Sequence, residues 1–76
     1  MMTKEKILNI LEQINPDADY ENSDDFFEDE LMDSMGIMTM ITMIENTFSI
    51  TIEPEDITAD NFLNISCITK MLETYL

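Results

Sequence analysis

The sequence predicts an all-α domain of three main helices plus one short helix, with a long loop between the first and second. Three observations carry this. Apolar residues recur at helical spacing in three separate segments. Only one brief stretch, Ser49 to Thr58, alternates in the manner of a strand, and Pro54 interrupts it. A chain of 76 residues that is 45% apolar has material for one core, since a domain this small buries only about 60% of its extended surface on folding.

The first helix is read over residues 3 to 14. Ile7, Ile10, Leu11 and Ile14 fall on one arc at 100° per residue, with Glu5, Lys6, Asn9, Glu12 and Gln13 opposite. Thr3 is positioned to cap it, and Pro16 cannot continue it. From Pro16 to Asp33 the chain is acidic and aperiodic, yet Phe26, Phe27, Leu31 and Met32 are too apolar for a solvated linker, which predicts a compact loop pinned by those side chains. The second helix is read from Ser34 to Thr47, with Asp33 as its cap and Ile37, Met40, Ile41, Ile44 and Phe48 as its core face. Met35 and Met38 fall on or beside the polar face, one turn from Ser34. Either the helix is greasy all round and buried, or these methionines form an adaptable docking surface. The next connection reads as a loop, with one short turn at Asp60 to Leu63. Asn64 caps a last helix from Ile65 to Tyr75, whose core face is Ile65, Ile68, Met71, Leu72 and Tyr75, with Cys67 half-buried at its edge.

Charge and composition narrow the function. Three lysines against seventeen acids leave a net charge of -14, and residues 17 to 60 hold no base at all. Such a surface repels a phosphate backbone and anionic lipid, so neither nucleic-acid binding nor membrane insertion is expected; a basic protein or a cation is the natural complement. No apolar run is long enough to span a bilayer and no signal peptide is evident, which predicts a cytoplasmic monomer. With no histidine and one cysteine, hydrolase triads, zinc clusters and an internal disulfide are excluded.

The chemistry concentrates in Glu30-Leu31-Met32-Asp33-Ser34-Met35-Gly36-Ile37. A serine opening a helix behind an acidic cap points its hydroxyl to solvent, where the helix end offers N–H groups and partial positive charge to a phosphate. It has no neighbouring base to make it a nucleophile of its own, so it is a site for modification by another enzyme or an ordinary capping serine.

At these residues the chain resembles the acyl and peptidyl carrier proteins, whose signature is Asp-Ser-Leu at the start of the second helix and here reads Asp33-Ser34-Met35. The stretch from Phe27 to Gly36, Ile44-Glu45 followed by Phe48, Ile50-x-Ile52-x-Pro54, and Asp60-Asn61-Phe62 extend the resemblance from Ile7 to Leu72. The resemblance implies an acyl-carrier-like four-helix bundle over residues 1–76, a single non-catalytic carrier domain. It also implies 4'-phosphopantetheine on Ser34, placed there from coenzyme A by a Mg-dependent phosphopantetheinyl transferase, with Asp33 assisting as cap. The arm would hold an acyl or aminoacyl group as a thioester, supplied by a loading ligase or synthetase and used by downstream enzymes with basic docking surfaces. Met35, Met38 and Glu45 would meet those partners. Fatty-acid, polyketide, nonribosomal-peptide and cell-wall modification pathways all use such carriers. The neutral residues Thr39, Thr42 and Asn46 around the single Glu45, together with Gly36 and the stretch from Pro54 to Phe62, are more similar to stand-alone aminoacyl carriers, including D-alanine carriers.

Two other readings share the acidic sequence. Asp17, Asp19, Glu21, Ser23, Asp25 and Glu28 occupy the ligand positions of an EF-hand calcium loop. Against it stand Asn22 where the turn wants glycine, Asp24 where an apolar residue pairs with a second loop, and the lack of any second loop. An acidic adaptor that binds a basic protein without a prosthetic group shares every feature except a use for Ser34.

Overall fold

The computed structural model describes residues 2–76. All regular structure in it is helical, in the order α1 (Met2–Ile14), α2 (Ser34–Phe48), a 3-10 turn (Pro54–Asp56), a second 3-10 turn (Asp60–Phe62) and α3 (Ile65–Glu73). The predicted three main helices and long loop are therefore present. The short helix expected at Asp60 to Leu63 is the second 3-10 turn.

Each α-helix buries the face its periodicity marks. In α1 these residues are Ile7, Ile10 and Leu11, with Ile14 half-buried at the end. The Asn15 N–H closes the last turn on the Leu11 carbonyl at 2.9 Å, and Pro16 has no N–H with which to add another. Thr3 does not cap this helix: Met2 is already helical, and the residue before it lies outside the described residues. In α2, Met40 and Ile44 are fully buried and Ile37, Ile41, Met43 and Phe48 half-buried. The helix runs one residue past Thr47 and ends on Ser49, which takes the left-handed conformation (φ 56°) and donates its N–H to the Glu45 carbonyl. In α3, Ile65, Ile68, Met71 and Leu72 face inward, and Cys67 is half-buried as expected.

The first 3-10 turn was not anticipated from sequence. Proline at its first position has a pre-set φ, and Glu55 and Asp56 behind it suit the positive end of a helical turn. Around it the chain is tied from both sides: the Ile52 N–H donates to Glu45 Oε2 at 2.9 Å, the Glu53 N–H donates to the Tyr75 hydroxyl oxygen at 2.8 Å, and that hydroxyl donates in turn to the Asp56 carboxylate.

The nineteen residues between α1 and α2, 15–33, form a structured loop. Phe26 is completely buried, its N–H donating to the Leu63 carbonyl at 2.7 Å and its carbonyl accepting from Leu31 and Met32. Tyr20 packs edge-on to Phe26 with ring centroids 5.2 Å apart and donates its hydroxyl proton to the Leu31 carbonyl. Asn64, besides capping α3, donates its side-chain amide to the Asp24 carbonyl at 2.8 Å. Phe26 and Phe62 thus join Ile7, Leu11, Met40, Ile44, Ile68 and Leu72 in one core between the three helices. The radius of gyration, 11.1 Å, matches the roughly 11 Å expected of a compact chain of this length.

Candidate functional site: the start of helix α2

The backbone at Asp33 is extended (φ -134°, ψ -176°), which aims its side chain back along the helix that follows. Asp33 Oδ1 accepts from the Gly36 N–H at 2.8 Å, and the Asp33 carbonyl accepts from the Ile37 N–H at 2.9 Å. The second of these is the helix's own first i to i−4 bond; of the amides that the helix start leaves without an intrahelical partner, the Asp33 side chain satisfies that of Gly36. Those of Ser34 and Met35 remain available to an anion, and Ser34 itself is exposed. This is the arrangement that a phosphodiester on the serine oxygen requires: a hydroxyl in solvent, free donors beside it, and the dipole of a 15-residue helix behind it.

Met35 and Met38 are 79% and 69% exposed, so α2 is not buried all round and this apolar surface faces solvent. The hydroxyls of Thr39 and Thr42 donate to the carbonyls of Met35 and Met38, one turn back, at 3.0 and 3.1 Å. Spending their protons inside the helix makes this face less polar than its sequence suggests. Glu45 has a different occupation from that of a free docking acid. It is half-buried, with one carboxylate oxygen held by the Ile52 N–H, so it fixes the α2–α3 connection.

The six EF-hand positions are not gathered around a point. Asp19 accepts from the backbone and side-chain N–H groups of Asn22, Asp25 Oδ1 caps the N–H groups of Phe27 and Glu28, and Ser23 is buried with its hydroxyl donating to Asp29 at 2.5 Å. Among the described residues no three acidic, cysteine or histidine side chains converge so as to hold a metal ion.

Beside the helix start lies a cleft of about 490 Å³ that sequence reasoning missed. Its walls are Ile14 and Asn15 from the end of α1, Tyr20, Phe27, Glu30, Leu31 and Met32 from the loop, and Asp33 and Gly36 at the start of α2. Burial, with the Asp33 carboxylate as a second cause, raises the Tyr20 hydroxyl above the ordinary tyrosine pKa. Gly36 has little room for a side chain: a Cβ there would stand 2.9 Å from Met32 Sδ and 3.3 Å from Asp33 Oδ1. The sequence signals of the cleft were the apolar residues Phe27, Leu31 and Met32 and the aromatic Tyr20, set in an otherwise acidic run.

The family model described as a phosphopantetheine attachment site matches residues 5–71, taking in all of this geometry. The chain belongs to that family. It is also 33% identical, over an 81-position alignment covering 99% of this chain and 100% of the relative, to the acyl carrier protein of an Exiguobacterium species. No solved structure matches the chain. As a member of the carrier family it uses 4'-phosphopantetheine as its prosthetic group, and carriers of this kind work with phosphopantetheinyl transferases and acyl-handling enzymes. The exposed Ser34 and the unpaired amides beside it fit the phosphate end of that group. No helix among the described residues is long and apolar enough to cross a membrane.

Proposed function

We propose that residues 1–76 form one non-catalytic carrier domain, that Ser34 is the attachment residue for 4'-phosphopantetheine, and that a phosphopantetheinyl transferase installs the arm from coenzyme A. The observation that carries this reading is the exposure of Ser34 at the capped start of α2, inside the matched family region. The chain has no histidine, so the base that takes the Ser34 proton belongs to the transferase. The bound group supplies a terminal thiol on which cargo rides as a thioester. This chain's residues hold the anchor. Asp33 fixes the first turn, the α2 dipole and the Ser34 and Met35 amides favour the phosphate, and a flexible tether presents one cargo to several enzymes at raised effective concentration.

Met35 and Met38 form the apolar centre of the docking surface, and the loop acids Glu28, Asp29 and Glu30 face basic groups on the partner enzymes. The neutral face of α2 favours an aminoacyl or D-alanyl carrier over one serving a fatty-acid synthase. Self-repulsion at a net charge of -14 favours a monomer, and the reading places it in the cytoplasm, where its transferase and ligase partners act.

Intact mass of the chain produced beside a broad-specificity transferase tests the anchor. One phosphopantetheine adduct is expected, absent from Ser34→Ala. An adduct that survives Ser34→Ala places the arm elsewhere and overturns the assignment.

A further inference from the structure

The described methionines divide by exposure. Met32, Met40 and Met71 are buried, and Met43 is half-buried against the core. Met35 and Met38 stand mostly in solvent. Their spacing puts both on one face of α2, with Met35 next to Ser34 in the chain and Met38 one helical turn beyond that serine. Where the carrier signature has leucine, this chain has a thioether at position 35. Leucine is apolar and fills about the same volume, so what methionine adds there is chemistry: a sulfur lone pair within reach of an oxidant.

The surroundings make this pair a selective target. A peroxide must touch the sulfur to react, and burial keeps it from the others. Met32 is the contrasting case: its sulfur packs against the first turn of α2, where a Cβ on Gly36 would come within 2.9 Å of it. Oxidation of Met32, Met40 or Met71 would put a polar oxygen inside the bundle, whereas oxidation of Met35 and Met38 puts it in water and leaves the packing intact. The hydroxyls of Thr39 and Thr42 already donate to the Met35 and Met38 carbonyls, so neither proton is spare to solvate a new oxygen once a partner excludes water.

We propose that Met35 and Met38 are oxidation sites that switch docking off while the fold and the anchor persist. At each, the sulfur lone pair attacks one oxygen of a hydroperoxide. The O–O bond breaks, an S–O bond forms and the proton stays with the departing oxygen, so the thioether is oxidised to a sulfoxide and the peroxide is reduced to water or an alcohol. A thiol-dependent sulfoxide reductase reverses the step, its thiols leaving as a disulfide and the oxygen as water. The proposal rests on these two side chains being the apolar centre of the docking surface. A partner closing over them would have to bury two polar oxygens where it had met apolar thioethers.

The test uses the full chain without its arm, so that no arm thiol competes for the oxidant. Limited hydrogen peroxide, removed with catalase and followed by peptide mass mapping, should place the first oxygens on Met35 and Met38, with Met32, Met40 and Met71 far slower. The melting temperature should not move. In phosphopantetheine transfer from coenzyme A by a broad-specificity transferase, the KM for the oxidised carrier should rise by roughly fivefold to a hundredfold at nearly constant kcat, as expected when binding common to ground and transition states is lost. Treatment with sulfoxide reductases for both sulfoxide epimers should restore it. Met35→Leu combined with Met38→Leu, compared with its own untreated state, should show no response to peroxide. Oxidation of Met32, Met40 or Met71 as fast as the exposed pair, a falling melting temperature, an unchanged KM, or an equal peroxide response in the double variant overturns the switch and leaves the anchor standing. No adduct even on the untreated chain overturns the anchor, and this proposal with it.

Discussion

Asp33 holds the first turn of α2 with a single carboxylate oxygen, and the anchor serine depends on that turn for its orientation. Asp33→Ala should cost about 1 kcal/mol, the usual worth of a capping side chain, and lower the melting temperature by about 4–8 °C in a domain of this size. Thermal melts followed by circular dichroism would show it, and Asp33→Asn should recover most of the loss. Ser49 is the opposite case, a residue whose side chain works against its backbone. It closes α2 in the left-handed region, where glycine has no steric penalty. Ser49→Gly should raise stability by about 0.5 kcal/mol in urea titrations, the relief of strain exceeding the added flexibility of the unfolded chain. A drop in stability would mean that the Ser49 side chain contributes something beyond its backbone geometry.

The connection between α2 and α3 has its own fastening in Tyr75, whose hydroxyl links the Glu53 amide to the Asp56 carboxylate across the first 3-10 turn. Its hydrogen bond to Asp56, together with desolvation, raises the Tyr75 pKa above the ordinary 10.0. The folded state therefore favours the protonated phenol. Its contribution is complete below pH 10 and is lost as pH rises through the higher folded value. Melting temperatures taken across that range should fall on the alkaline side, and Tyr75→Phe should flatten the decline while lowering the plateau. An unchanged alkaline slope in Tyr75→Phe would remove this role. At the same scale lies the division between what the sequence reveals and what it conceals. The faces of α1, α2 and α3 were legible because burial repeats with the helical period, as Ile7, Ile10 and Leu11 show, and the cap at Asp33 was legible because it is a local hydrogen bond. Tyr20, Glu45 and Tyr75 were not: each is defined by a partner 7 to 22 residues away along the chain, and no local pattern records such a pairing. The first 3-10 turn falls between the two cases, for Pro54-Glu55-Asp56 is a helical start whose brevity gave no periodicity to read.

Across the whole molecule a net charge of -14 opposes a core that holds, among the described residues, fourteen buried apolar side chains. Total stability for 76 residues is of order 4–11 kcal/mol, small enough for repulsion between carboxylates to matter. Raising ionic strength to physiological values shortens that repulsion to about 8 Å, so the melting temperature should climb with salt and with Mg. A melting temperature indifferent to both would show that the acids are already spaced beyond each other's reach. One of the three lysines is drawn into holding the fold, for Lys6 Nζ lies 5.4 Å from the centre of the Phe48 ring and joins α1 to the end of α2. The stitches that order the long loop, from Phe26 to the Leu63 carbonyl and from Asn64 to the Asp24 carbonyl, span nearly forty positions. During synthesis the segment before the anchor must therefore wait for the third helix to begin emerging from the ribosome before it can settle, and a modifying enzyme that reads the finished shape of that segment would ignore nascent chains.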